Sequence, residues 1–238
     1  MQHLSNEKLR QLARLKQKKY RLAENLVLVE GQRTLTQLAQ WGIKPQELYL
    51  VDASAALAEK NSYLLSPQAM QRICSSETAA GIAALYPLPK PVHQEFETAF
   101  YLEDLSDPGN LGTIFRTAAA LNLEYLILSP GCCEISSPKV IRASLGAVYK
   151  VPFRYATAGE LLRLPAKIYR LDMDGETEIS AFKASGKTVI AIGNEAHGIS
   201  PLLKENCPHS LRIGMVGQME SLNAAVCFAI AAYMLGSA

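Results

Sequence analysis

The sequence predicts an α/β protein: a parallel sheet with helices on both faces in its C-terminal part, preceded by a smaller α/β domain. Three observations carry this. Short apolar runs alternate with helical patterns along the whole chain. Leu85–Val92, LYPLPKPV, holds three prolines in eight residues and reads as a stiff connector. Hydrophobic residues make up 49% of 238, enough for a substantial core and too many for a disordered chain. The expected division is a first domain over residues 1–86, a linker over 87–98 and a second domain over 99–238.

Taken in order, the chain opens with a basic segment. Lys8, Arg10, Arg14, Lys16, Lys18, Lys19 and Arg21 crowd the first 21 residues against a single acid, Glu7. Leu4, Leu9, Leu12 and Leu15 recur at near-helical spacing, so an amphipathic basic helix is expected. Residues 1–90 carry 12 basic and 7 acidic side chains; residues 91–238 carry 12 and 15. This asymmetry points the first domain, Arg33 included, towards a polyanion, which such a face meets through phosphates rather than bases. Strands are expected at Asn25–Glu30, Glu47–Val51, Tyr63–Leu65 and Gly81–Tyr86. Helices are expected at Arg33–Trp41, Ala53–Lys60 and Pro67–Cys74.

In the second domain, Phe100–Leu105 reads as a strand, followed by SDPGNLGTIFRTAAAL, a turn and a helix to about Leu121. Arg116 is expected on the first turns of that helix, at the same end of the sheet as Asn110. The helix dipole does not favour an arginine there, so a catalytic or phosphate-binding role is a candidate. Strands are expected at Tyr125–Leu128, Lys150–Arg154, Lys167–Leu171, Thr188–Ile192 and Leu211–Ile213. Helices are expected at Pro138–Leu145, Gly159–Leu164 and from Pro201 to Asn206. The last stretch, Ala224–Leu235, has twelve residues without a charge. A membrane span needs about 20, so this is a core helix, with Ser221 as candidate N-cap and Glu220 beside it.

Three loops leave strand ends: Asp107–Gly112, Gly193–Gly198 and Gly214–Asn223. Each joins glycine to a few polar groups, and together they suit a cleft that holds a flat ligand largely by backbone. Several chemistries are excluded by pattern. Glu195 and His197 do not form the zinc-peptidase motif, and no dinucleotide fingerprint, phosphate loop or serine-hydrolase elbow occurs. Five cysteines, an odd number without paired spacing, argue against a disulfide framework and fit a reducing cytoplasm. The N-terminus lacks the apolar core of a signal peptide. Neither a metal nor a membrane is expected as a partner.

The three loops, in this order, resemble the motifs of the SpoU/TrmH branch of the SPOUT RNA methyltransferases: Asn110–x–Gly112–x–x–x–Arg116–x–Ala118, then Gly193–Asn194–Glu195–x–x–Gly198, then Met215 through Glu220–Ser221–Leu222–Asn223. Ser137–Ala147 is similar to a further family segment. Residues 1–86, above all VEGQRTLTQL, resemble the ribosomal-protein-like substrate-binding domain that often precedes that fold. The resemblance implies a C-terminal SPOUT domain with a deep trefoil knot, a homodimer, and S-adenosylmethionine as cofactor. It implies methyl transfer to a ribose 2′-hydroxyl of RNA, large-subunit rRNA first and tRNA second. Gly193, Ile213 and Leu222 match cofactor-holding positions, joined by Asn194, Gly198, Met215 and Gly217. Arg116 matches the arginine that activates the hydroxyl, and Asn110, Glu195, Ser221 and Asn223 match polar positions of the site. Gly214 departs from the family, where proline is frequent. The competing readings are an RNA-binding protein with a relic cofactor site and a conventional Rossmann methyltransferase.

Overall fold

The computed structural model describes residues 4–52, 61–217 and 221–236. They form two compact units, Met1–Pro89 with Ile135–Tyr149, and Lys90–Glu134 with Lys150–Ala238.

The first unit contains α1 (Asn6–Arg14), α2 (Lys18–Glu24), β1 (Leu26–Glu30), α3 (Gln32–Gln40), β2 (Glu47–Leu50), β3 (Ser62–Leu64), α4 (Pro67–Ile73) and β4 (Ile82–Pro87). Its four-stranded sheet has the order β1-β4-β2-β3, with β4 antiparallel to both neighbours. The expected single basic helix is two. Ser5 caps α1 by accepting from the Lys8 N–H, and α1 stops at Arg14. The cause is Arg21: its guanidinium folds back to donate to the Leu15 and Lys16 carbonyls, at 2.9 and 2.7 Å. Those carbonyls at the chain reversal find their donor in a side chain, as helix ends require. The helix expected over Ala53–Lys60 lies outside the described residues.

The segment Ile135–Tyr149 returns to this unit. Its helix α6 (Pro138–Ala143) packs on β1, and a Cβ on Gly146 would stand 2.8 Å from Leu38. Glu30, 6% exposed, organises the contact. Its carboxylate accepts from the N–H and hydroxyl groups of Ser75 and Ser76 and lies 3.8 Å from Arg142. Burial alone pushes the Glu30 carboxyl up, but the Ser75 and Ser76 hydrogen bonds outweigh it and hold it below its ordinary value. A depressed folded-state pKa gives stability that is present above the unfolded value of ~4.3 and is lost as pH falls through the folded one. Glu30→Gln is therefore expected to lower stability by about 1–3 kcal/mol at neutral pH. Denaturant titrations should show that deficit shrinking under acid. A deficit independent of pH would mean that the charge is not what matters.

The second unit contains β5 (Thr98–Leu102), α5 (Pro108–Ala120), β6 (Tyr125–Leu128), β7 (Phe153–Tyr155), α7 (Ala158–Leu161), β8 (Lys167–Leu171), β9 (Thr177–Glu178), β10 (Thr188–Ile192), α8 (Pro201–Asn206), β11 (His209–Arg212) and α9 (Ala224–Gly236). All seven strands run parallel in the order β7-β6-β5-β10-β8-β11-β9. β6 and β10 are buried along their whole length, as parallel strands with both faces covered are. α9 lies against α5, and its Phe228 ring sits 4.8 Å from Phe100 of β5. The short edge strand β9 has too little pattern to be read from sequence.

Candidate active site

The site grows from the carboxyl ends of the parallel strands, where α/β proteins bind ligands. After β5 the chain turns at Asp104, in left-handed conformation with φ 52°. Its N–H donates to the Ser129 hydroxyl, and its carbonyl accepts from the Asn194 side chain at 2.6 Å. Asp107 then caps α5, accepting from the Asn110 N–H at 2.8 Å, with Pro108 at the first helical position. This places the Asn110 side chain at the helix entrance.

After β10 the loop closes on itself. The N–H and carbonyl groups of Asn194 and Gly198 exchange bonds of 3.0 and 2.9 Å, and Gly198 takes φ +65°. The Asn194 side-chain oxygen accepts from the Ala196 and His197 N–H groups. Glu195 is thereby aimed back at the first loop. It accepts from the Ser106 N–H and hydroxyl at 3.2 and 3.3 Å, from the Asp107 N–H at 3.2 Å and from the Asn110 amide at 3.0 Å. Partial burial pushes the Glu195 carboxyl up, but these hydrogen bonds prevail and hold it below its ordinary value. It is an anion at neutral pH whose lone pairs are already engaged.

The third loop joins through Asn223, whose amide donates to the Asn110 side-chain oxygen at 2.9 Å. Its own oxygen accepts from the Ala225 and Val226 N–H groups, so Asn223, not Ser221, is the N-cap of α9. Both residue types cap well; Asn223 wins because it directly precedes the first helical residue. One side chain thus fixes a helix end and a link in the chain Asn223–Asn110–Glu195. Asn223→Ala is expected to cost about 1 kcal/mol of stability through the lost cap. Asn223→Asp keeps the cap acceptor and loses the donor to Asn110. If the link matters to the site, Asn223→Asp should impair activity as much as Asn223→Ala while melting near the wild type; activity that follows melting temperature across the pair would reduce Asn223 to a cap.

Beside this chain lies a cavity of about 350 Å³. Gly193, Asn194, Glu195 and Gly198 line it from the second loop, and Ile213, Met215, Ser221 and Leu222 from the third. The structure therefore brings eight of the expected site residues to one hollow, with Asn110 and Asn223 bonded at its edge. Gly217 is exposed and does not line it, and Glu220 lies outside the described residues. Arg116 stands farther along α5 than expected, beyond its second turn. It is exposed and makes no hydrogen bond or ion pair among the described residues. Asp172 and Met173, after β8, also line the cavity, and Asp172 lies 3.5 Å from Arg170 and 3.7 Å from Lys204. The sequence reading missed this loop, although LDMDG after an apolar strand carries the same strand-end signal as the other three.

The basic residues of the first unit divide. Arg10, Arg14, Lys16, Lys18, Lys19 and Arg33 are exposed, and the Arg14 and Lys19 charges lie over the Tyr20 ring, at 5.5 and 4.8 Å from its centre. Lys8 is tied to Glu47 at 2.8 Å. Arg21 leaves the exposed set: at 3% exposure its guanidinium is used by the chain itself.

Comparisons with known proteins agree with this anatomy. A model of the MRM3-like substrate binding domain matches residues 6–84, and one of the SpoU rRNA Methylase family matches residues 97–233. The chain is 27% identical to the Bacillus subtilis 23S rRNA (guanosine(2553)-2′-O)-methyltransferase RlmP, over 97% of its own length and 96% of that protein's. A TrmH-family RNA methyltransferase structure from Porphyromonas gingivalis superposes with TM-score 0.83 at 26% identity, covering 98% of both chains. An AdoMet-bound rRNA methyltransferase from Sinorhizobium meliloti shares the fold, with TM-score 0.82 at 24% identity over 98% and 95% of the two chains. Because the methylase model spans more than half of the sequence, the chain belongs to the SpoU rRNA methylase family.

Proposed function

We propose that this protein transfers a methyl group from S-adenosylmethionine to a ribose 2′-hydroxyl of structured RNA, with large-subunit rRNA as the first candidate substrate and tRNA as the second. The observation that carries the reading is the glycine-loop cavity standing beside the Asn223–Asn110–Glu195 chain. The activity in the name of the Bacillus subtilis relative, matched along nearly its whole length, supports it.

The cavity fits the cofactor by its chemistry. Ile192, Ile213 and Leu222 supply apolar walls for a flat base, Gly193 and Gly198 expose backbone, and the Glu195 carboxylate supplies negative charge towards a cation. Bound there, S-adenosylmethionine supplies a methyl group already activated by its sulfonium. The protein's own task is alignment. Glu195, ionised and fully engaged, fixes Asn110 rather than taking a proton. Asn223 holds the other side of Asn110, and Ser221 faces the cavity. Arg116 orients the 2′-hydroxyl and its neighbouring phosphate; an arginine, with pKa above about 12, acts as donor and charge before it acts as a base.

On this reading residues 1–86 recognise RNA through the exposed basic face, 87–98 connect, and 99–238 carry catalysis. The requirement for a 2′-hydroxyl selects RNA over DNA. The trefoil knot belongs to the same proposal; the return of α9 onto α5 and β5 after β11 supports it. A homodimer through the C-terminal domain is supported by α9, apolar all round yet exposing Val226, Tyr233 and Met234 at 46%, 61% and 41%. No helix among the described residues is long and apolar enough to cross a membrane, and they contain no cluster of metal-ligating side chains. All five cysteines are free, in keeping with a cytoplasmic location.

The test is incubation with methyl-labelled S-adenosylmethionine and, separately, unmodified large-subunit rRNA, small-subunit rRNA and tRNA, followed by nucleoside analysis. A 2′-O-methyl product in one class establishes reaction and substrate. Label on a base overturns the chemistry given to Arg116. Absence of both label and cofactor binding would favour a relic site.

A further inference from the structure

The second unit holds another hollow, of about 400 Å³, lined among others by His93, Phe96, Tyr125, Arg154, Leu164 and Lys187. Its volume lies in the range of small-ligand sites, roughly 300–1,000 Å³. Phe96 precedes β5, Tyr125 opens β6 and Lys187 precedes β10. Since these strands are parallel, the hollow sits at their amino ends, opposite the glycine-loop cavity. The five residues of β10 put roughly 17 Å between the two.

Its electrostatics are unbalanced in a particular way. The Arg154 Nε is buried and has no hydrogen-bond partner, and Arg154 enters no ion pair among the described residues. That nitrogen is shielded, so what the hollow can reach is the terminal edge of the guanidinium, which makes no hydrogen bond among the described residues either. The nearby carboxylates are hydrogen-bonded elsewhere; Glu160 feels Arg154 only as a lesser charge beside its own bonds to Thr157. Glu160 closes a capping box with Thr157, at 2.7 and 2.9 Å. Glu124 accepts from the Glu97 and Thr98 N–H groups. Glu95 is bonded to Lys187, yet its side chain is 93% exposed, so it is a counter-ion held from outside. The Lys187 ammonium lies 5.0 Å from the centre of the Phe96 ring, which with Leu164 forms an apolar wall.

We propose that this hollow binds a phosphate group, held by Arg154 and Lys187, which displaces Glu95. A guanidinium edge matches phosphate oxygens, and a lysine adds a point charge. Phosphate oxygens can bridge the two cations, whereas Glu95 engages Lys187 alone. The group comes either from a free nucleotide or from an RNA backbone. The proposal goes beyond methyl transfer and does not depend on it.

The test is calorimetric titration of the full-length protein with inorganic phosphate, adenosine monophosphate and a short single-stranded RNA, using wild type, Arg154→Gln and Glu95→Gln. Arg154→Gln should weaken phosphate binding about tenfold or more, the worth of a charge-assisted hydrogen bond. Glu95→Gln, at an exposed position that folding does not need, should strengthen it by removing the competitor. Tighter binding of the mononucleotide than of the RNA assigns a free nucleotide, and the reverse assigns the RNA backbone; both support the site, provided that Arg154→Gln weakens the response. Phosphate affinity equal in all three proteins, or absent from all three, overturns it. S-adenosylmethionine affinity, read in parallel, should be the same throughout, so failure at this hollow is separable from failure of the methyltransferase reading.

Discussion

Arg116→Ala is expected to lower methyl transfer by about two to three orders of magnitude, the range for loss of one preorganised charged donor at a reacting centre. Melting temperature and S-adenosylmethionine affinity should hardly move. The contrast follows from position. Arg116 is exposed, makes no hydrogen bond or ion pair among the described residues, and does not line the glycine-loop cavity. Surface substitutions of that kind usually stay within about 0.5 kcal/mol. The fold therefore loses nothing when the guanidinium is removed, and any large effect belongs to the RNA-bound state. Arg116→Lys separates orientation from charge: a lysine keeps the charge but not the planar fork, so it should restore only a small part of the activity. The measurement is single-turnover methylation beside cofactor titration. Parallel loss of both would place Arg116 in cofactor binding instead, and unchanged turnover would remove it from the reaction.

The parts of this protein that sequence conveys are those where one local cause suffices. Tyr125–Leu128, Lys167–Leu171 and Thr188–Ile192 have the bounds expected of them; the first and last are buried along their whole length and so read as apolar runs closed by turn residues, while Lys167–Leu171 is only partly buried. The glycine loops were legible for the same reason, since chain reversal at a strand end demands particular residues. What escaped were tertiary decisions. Nothing local says that the Leu15 and Lys16 carbonyls are met by Arg21 and that the basic segment breaks there. Nothing near Pro138 announces that α6 packs on β1, because Glu30, Ser75 and Arg142 lie far apart in the chain. Within the site, Glu195 was a candidate by motif. Its role as the acceptor that ties Ser106, Asp107 and Asn110 together needed the fold, since those donors are nearly ninety residues away.

Gly193→Ala should abolish measurable S-adenosylmethionine binding at concentrations that saturate the wild type, and methyl transfer with it. A Cβ at this position would stand 2.1 Å from the Gly198 carbonyl carbon, 2.3 Å from the Ile199 nitrogen and 2.4 Å from the Gly198 oxygen. These are backbone atoms and cannot rotate away, so the loop itself must open. Opening breaks the paired bonds between Asn194 and Gly198 and pulls the Asn194 amide from the Asp104 carbonyl. Glu195 is the next residue, so the chain to Asn110 and Asn223 loosens with it. The global cost should be about 1–3 kcal/mol, typical of overpacking, because the strain sits at a strand end rather than inside the sheet. Gly198→Ala is the informative partner. It meets open space and carries only the strain of a left-handed conformation at φ +65°, about 1–2 kcal/mol. Equilibrium dialysis with the two variants, beside their melting curves, divides the effects. If destabilisation alone governed the cofactor site, the two alanines would weaken binding alike. If the close backbone approach at Gly193 shapes the cavity, its variant loses the cofactor while Gly198→Ala, at comparable stability, retains most of it; a Gly193→Ala protein that binds like the wild type would mean that this loop does not hold the cofactor.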